Sequence, residues 1–333
     1  MNKNKAKKIA TWIIVPLMAA FFILDIITVI AANSHCRNYT ITQEAFNGEN
    51  GDDRIHFLNT ANSDAILIES NGKFALIDAG EGNSNPRRNT EYKGYEKEVT
   101  DYIKSVCKTA DGTVYLDFIM GTHAHYDHIG SFHALITDDN INIGKAYFKE
   151  FNTLIAKEYE TEKWKIDEVY EQIIRDLEQK EVAIINNLPD EPFLFGDFTL
   201  QFYNTVTPES MIDEGENASS IGVKITKGSK SVFLAADITK STGLEKLLAD
   251  EIGDIDILKI GHHGYFGSSS AYFLNKLNPE IAIVTNQLGK VYPNVKWNLT
   301  MKAKVPFYAT YDNNGIIVAL TDNGEIILTN NIH

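Results

Sequence analysis

The chain has 333 residues, 44% hydrophobic and 11% aromatic, with 31 basic and 45 acidic residues and a formal net charge of −14. This composition supports a packed core and excludes a disordered or low-complexity polypeptide. The negative charge disfavours nucleic acid as a long-range partner and favours cationic ligands, and two cysteines, Cys36 and Cys107, are too few for a disulfide framework.

The first 36 residues read as a membrane anchor or signal segment. Lys3, Lys5, Lys7 and Lys8 precede an apolar run from Ile9 to about Ala32, and about twenty apolar residues span a bilayer. The basic flank predicts a cytoplasmic N-terminus, with the bulk of the chain outside. Asp25 interrupts the run, and a carboxylate near mid-span costs about 2.5–3.5 kcal/mol on insertion scales. The apolar stretch before Asp25 also suits a signal-peptide core, with Ala31-Ala32 near a cleavage site. An uncleaved single-pass anchor is the favoured expectation and a secreted form the alternative. Four lysines and Asp25 precede Arg37, leaving 27 basic against 44 acidic residues, or −17, for the remainder.

Residues 37–53 read as a polar tether and 54–333 as one domain. Ile55–Leu58, Ala65–Glu69 and Phe74–Ile77 are short β-rich runs, the last two joined by the hairpin cue Asn71-Gly72. A helix is expected from Tyr95 to about Lys108, then a strand over 115–120. Residues 149–182 predict one or two amphipathic helices. Strands are expected at 182–185, 198–202, 221–225, 231–235, 255–260 and 281–284, with helices near 243–249 and 269–277. Residues 315–320 and 325–328 close the chain as a hairpin. Strands interspersed with helices predict two packed sheets with helices on both outer faces.

The strand at 115–120 runs into Gly121-Thr-His-Ala-His-Tyr-Asp-His-Ile-Gly130. Alternate residues at a strand end point the same way, so His123 and His125 can face one ion while Asp127 and His128 turn toward a second. Imidazole and carboxylate suit zinc, iron or manganese. Neither cysteine is near this cluster, which disfavours thiolate ligation. Further acceptable ligands stand after strands at Asp237 and in Gly261-His-His-Gly264.

The pattern His-x-His-x-Asp-His followed by Ile-Gly resembles the signature of the metallo-β-lactamase superfamily of binuclear hydrolases. The resemblance implies an αββα four-layer sandwich over about residues 54–330. It implies two divalent ions, zinc foremost: one held by His123, His125 and Asp237 with an open position, the other by Asp127, His128, Asp237 and His263. Asp78, in Phe74-Ala-Leu-Ile-Asp-Ala-Gly80, matches the superfamily's first motif, where the carboxylate orients the histidine loop without being a ligand.

β-Lactamases, lactonases and glyoxalases of the superfamily carry a further histidine before the bridging aspartate. Here no histidine lies between His133 and His262, and Asn217-Ala-Ser-Ser-Ile221 stands in that place. The chain is similar in this to the pneumococcal-type phosphorylcholine esterases and to the C-terminal domain of the competence DNA-uptake channel. Ile55–Leu58, Ser63–Ile66, Glu69–Gly72, the Phe195–Asp197 turn and Lys259 resemble the esterases more closely, whereas Gly264-Tyr-Phe-Gly267 departs from them.

These likenesses imply a cell-surface phosphodiesterase that attacks a cell-wall, lipid-headgroup or small-molecule phosphoester with a hydroxide held between two ions. His262 would donate to a phosphoryl or leaving oxygen and Asn217 would hydrogen-bond the phosphate. Tyr265, Phe266, Trp297, Tyr92 and Tyr95 are candidates for an aromatic box around a choline-like group. The alternatives are an extracellular nuclease, with Arg87, Arg88 and Lys240 as candidate contacts, and an inactive surface module. Oligomeric state is left open.

Overall fold

The computed structural model describes residues 3–35, 40–44, 53–84 and 93–331. Most of the expected tether, together with Cys36, Arg87, Arg88 and Tyr92, lies outside the described residues. Two sheets dominate. Ile326–Thr329, Ile316–Leu320, Arg54–Phe57, Ala65–Ser70, Lys73–Ala79, Phe118–Gly121, Lys145–Phe148 and Ala183–Ile185 lie in that order in an eight-stranded sheet. Phe307–Ala309, Ile281–Val284, Ile257–Lys259, Lys230–Leu234, Gly222–Lys227, Phe198–Tyr203 and Phe193–Phe195 form a seven-stranded one.

Side-chain alternation builds the layers. Ala75 and Ile77 face the other sheet, where they join Phe57, Phe118, Phe202 and Val223 in a shared core. Their neighbours Phe74 and Leu76 face outward, against Val99, Phe132 and Ile173 of the helices Glu96–Val106, Phe132–Thr137 and Ile166–Gln179. On the second sheet Val232 and Leu234 point inward. Phe233 and Leu258 point out to the helices Leu244–Ile252 and Ala271–Leu277 and to the segment 293–303. This is the expected αββα sandwich. Because both faces of each sheet are covered, the central strands are apolar throughout rather than alternating with polar residues.

Asn71 and Gly72 both have positive φ, 49° and 71°, as a type I′ hairpin requires. The strand expected at 115–120 is divided. Val114–Leu116 pairs with Ile141–Ile143 in a separate small sheet, while Phe118–Gly121 joins the large one. Asp117 makes the break: its N–H donates to Phe74 O (2.7 Å) and its carboxylate accepts from Phe74 N (3.0 Å). Strands Lys145–Phe148, Phe193–Phe195 and Phe307–Ala309 were not anticipated.

The N-terminal helix Lys3–His35 contains a window, Thr11–Ala31, long and apolar enough to cross a membrane. Cys107 is a buried free thiol.

Glu245, on Leu244–Ile252, is 1% exposed and accepts from Ser270 N at 3.0 Å. Burial pushes its carboxyl from an ordinary 4.5 up to about 7. The folded chain therefore keeps a proton that the unfolded chain loses first. Stability is intact below pH 4.5 and falls as pH rises through 7, by roughly 3 kcal/mol. Glu245→Gln keeps an acceptor for Ser270 and removes the ionisation. Its melting temperature should exceed the parent's at pH 8 and match it near pH 4.5 by calorimetry; an equal shift at both values would show that charge is not the cause.

Candidate metal centre

Four loops leave the same end of the two sheets and meet. The large sheet contributes Asp78, at the end of Lys73–Ala79, and the loop after Phe118–Gly121. The second sheet contributes Asp237, after Lys230–Leu234, and His262-His263, after Ile257–Lys259. The backbone is strained here: Asp78, Ala236, His262 and His263 have φ of 56°, 43°, 49° and 48°. Non-glycine residues hold such angles only where surrounding structure imposes them, and such sites are often functional. Gly261 allows the approach, since a Cβ there would sit 2.2 Å from Ile238 O.

His123, His125, His128 and His263 each have one ring nitrogen facing an acceptor. Asp78 accepts from Thr122 N and Thr122 Oγ1, both at 2.8 Å, and from His128 Nδ1 at 2.6 Å. The Thr122 hydroxyl, its proton committed to Asp78, is left to accept from His123 Nδ1 at 3.1 Å. His263 Nδ1 faces Thr285 Oγ1 at 3.1 Å, and Thr285 donates to Asp64. His125 Nε2 donates to Glu160 Oε1 at 3.1 Å. This network assigns the tautomers. It leaves lone pairs on His123 Nε2, His125 Nδ1, His128 Nε2 and His263 Nε2.

Those lone pairs point at one another and at Asp237. His128 Nε2 is 3.1 Å from His263 Nε2, and the two lie 3.2 and 3.5 Å from Asp237 Oδ1. His123 Nε2 is 3.2 Å from His125 Nδ1 and 3.8 Å from Asp237 Oδ2. Asp127 Oδ2 is 3.6 Å from His263 Nε2. Asp237 Oδ1 is buried without a hydrogen-bond partner. Acceptors that converge in this way repel unless a proton or a cation lies between them. The residues present therefore fit metal ions. Among the described residues, His123, His128 and Asp237 form one group able to hold an ion, and Asp127, His128 and His263 form another.

Electrostatics agree. Burial opposes an ionised Asp237, yet His128, His263 and His262 hold its carboxyl well below the usual range. Burial also opposes a charged His128, but Asp237 and Asp78 outweigh it and raise its pKa well above the ordinary value. Protons shared in this way are what a metal ion displaces when it binds.

No protein-family model matches the chain. Over 177 residues, 53% of its length, it is 28% identical to ComE operon protein 3 of Bacillus subtilis, of which the match covers 21%. Over 84 residues, 25% of its length, it is 30% identical to Recombination protein 2 of Haemophilus influenzae, covering 10% of that protein. Thus it matches about a fifth or less of these relatives. Among solved structures it resembles the metallo-β-lactamase fold protein YhfI from Bacillus subtilis, with a TM-score of 0.50 and 14% identity over 83% of this chain and 100% of that one. The chain has the metallo-β-lactamase fold.

Within that fold the structure brings together all six expected ligands and Asp78. His262 stands at the rim: its side chain is 30% exposed and its Nε2 lies 3.8 Å from Asp237 Oδ2. Asn217 lies on the turn Glu216–Ser219 beside the histidine loop, where Glu216 accepts from Ala124 N at 3.0 Å. The Asn217 Oδ1 is buried without a partner. Tyr265 packs its ring 5.6 Å from His262 and 6.2 Å from His263. Trp297 instead belongs to the helix Pro293–Trp297, against which the N-terminal helix packs. Lys240 lines a separate cavity with Phe266.

Sequence reading missed Glu160, Trp164, Asp64 and Thr285. Glu160 and Trp164 come from the helical insertion 149–182, and the Trp164 ring stands 5.8 Å from His125. Asp64 bonds Lys259, which is fully buried and also donates to Ala236 O at 2.9 Å. Burial opposes the Asp64 charge, but Lys259 and His263 hold its pKa well below the ordinary value. Only Ser63–Ile66 and Lys259, noted as resemblances, marked this pair beforehand.

Lys259→Met strands a buried carboxylate and should destabilise the fold by about 3–5 kcal/mol in urea titrations. Adding Asp64→Asn should recover part of the loss; strict additivity would show that the pair does not act together. Glu160→Gln should weaken zinc binding by about 10–100-fold in competition with a chromophoric chelator, since it no longer fixes the His125 tautomer. Unchanged affinity would leave Glu160 its structural bonds from Lys157 N and Glu216 N.

Proposed function

We propose that the chain is a binuclear metal-dependent hydrolase of phosphoesters, acting as a phosphodiesterase at the outer surface of a membrane. The observation that carries this reading is the convergence of imidazole lone pairs and a partnerless Asp237 oxygen, with the absent intermediate histidine arguing against a lactamase. His123, His125 and Asp237 would hold one ion, and Asp127, His128, Asp237 and His263 the other. Bound divalent ions, zinc foremost, lower the pKa of water from about 15.7 toward 7 and neutralise a phosphoryl group.

The chain's own residues supply the rest. Asp78 holds Thr122 and His128 and so fixes the direction of the ligand loop. His262, reachable from solvent, donates to a phosphoryl or leaving oxygen. The Asn217 amide hydrogen-bonds the phosphate. Beside Tyr265 opens a cavity of about 470 Å³ that Lys93, Lys290 and Gln287 also line, a size suited to a small ligand. Glu81 lines it too and Lys93 is paired with Glu98 at 2.7 Å, so Lys290 would meet the phosphoester anion, and Tyr265 offers a face to a quaternary ammonium leaving group.

A second reading, a nuclease, is favoured by the similarity to ComE operon protein 3 and Recombination protein 2. Turnover of p-nitrophenylphosphorylcholine, bis-p-nitrophenyl phosphate and single-stranded DNA by the zinc- or manganese-loaded full chain separates the two. The ester is expected to be hydrolysed faster than DNA, and the reverse order selects the nuclease. His263→Ala should lower kcat/KM by more than the roughly 10–100-fold expected of an outer-shell loss. Less than one metal ion per chain, with no turnover of any substrate, would leave an inactive surface module.

A further inference from the structure

The N-terminal helix does not stand free of the hydrolase domain. Its later half packs against Pro293–Trp297 and Asn298–Ala303. Leu24, Asp25, Thr28 and Val29 are sheltered, an i, i+4 spacing that marks one docked face, and Ala31 is half-buried beyond them. Asp25 Oδ1 accepts from Lys296 Nζ at 2.6 Å, and the Lys296 side chain is 2% exposed. The carboxylate that is anomalous in an apolar span is thus half of an ion pair with the domain.

The docking leaves a geometric difficulty. Thr11–Ile23, ahead of the docked face, is thirteen residues, about 20 Å of helix. That is short of the roughly 30 Å hydrocarbon core of a bilayer. The opposite face remains apolar alongside the domain, where Ile26, Ile27 and Ile30 are exposed. Lipid covers these side chains only if the membrane reaches the level of the docking segment. On that segment Asn294, Asn298 and Met301 share one face by their spacing, and Met301 is 42% exposed. Asn294 and Asn298 line a cavity of about 770 Å³ together with Phe266, Tyr272, Lys240 and Lys246. Phe266 and Tyr272 are exposed aromatics suited to the headgroup zone. Lysines near them suit anionic lipid.

We propose that the segment 293–303, clamped to the N-terminal helix through Asp25 and Lys296, is a lipid-contacting face that sets the hydrolase domain down on the membrane surface. This rests on the reading of the helix as a membrane span and does not depend on the catalytic reading.

The test uses the full chain with Cys36→Ser in phosphatidylcholine–phosphatidylglycerol vesicles. Spin labels are placed at Met301→Cys and, as a control at the far edge of the second sheet, at Leu194→Cys, which is exposed. The ratio of collisions with oxygen to those with an aqueous nickel chelate should be severalfold higher at 301 than at 194. Asp25→Ala should bring the two ratios together, and Asp25→Lys with Lys296→Asp should separate them again. A chain that fails to float with vesicles overturns the span itself. A chain that floats with equal ratios at 301 and 194, or with an Asp25→Ala ratio unchanged, overturns this proposal alone. Protection at 301 that grows with protein-to-lipid ratio assigns the face to a second copy and overturns it too.

Discussion

A buried carboxylate with no hydrogen-bond donor cannot remain ionised unless positive charge is brought to it. Asp237 is 1% exposed and its Oδ1 lacks a hydrogen-bond partner, with that oxygen toward His128 and His263 and the other toward His123 and His262. The two sheets make this arrangement possible. His123 and His128 hang from the large sheet, and Asp237, His262 and His263 from the second one. The apolar layer between the sheets therefore fixes the distance across the centre. Any loss of packing among Phe57, Phe118, Phe202 and Val223 moves His123 and His128 against Asp237, His262 and His263.

A second buried charge pair ties the same seam. Asp64 precedes a strand of the large sheet and Lys259 ends one of the other. Their bond, with Thr285 and His263 attached to the same carboxylate, links the two halves through polar contacts inside a dry environment. Such a pair is weak evidence for stability, because desolvation offsets most of its attraction. Its geometric effect is clearer: the Lys259 ammonium also binds Ala236 O, beside Asp237. One cation thus positions the backbone before Asp237 and, through Asp64, the ring of His263.

What could be read from the sequence follows from how local each feature is. His123, His125, Asp127 and His128 fall within six residues at a strand end, so their chemistry is visible without any tertiary knowledge. Asp237 and His263, each after an apolar strand, were placed by the family resemblance and by their order after the histidine loop. The four layers followed from runs of alternating and continuous apolar residues. Glu160 and Thr285 reach the centre through partners distant in the chain, and nothing in their local sequence marks them, while Asp64 stood only inside a stretch noted as a resemblance. The break at Asp117 was hidden for a related reason, since its cause is a pair of bonds to Phe74 on a neighbouring strand. Trp297 was drawn toward the site by residue type alone, whereas its place is set by the helix that carries it.

The place of the missing histidine shows how a fold can change its inner coordination without losing its shape. The turn Glu216–Ser219 occupies that stretch and contributes carboxylate chemistry from behind. Glu216 accepts from Ala124 N, between the first two histidines, and its own N–H donates to Glu160, which holds His125. Burial pushes the Glu216 carboxyl up to about 7, against the hydrogen bond from Ala124. A neutral third imidazole would fill a coordination position. Carboxyl groups one layer back instead fix the rings already present. Fewer imidazoles held by a stiffer surround fix the geometry of the rings that remain, since each outer partner restricts the orientation of the ring it binds.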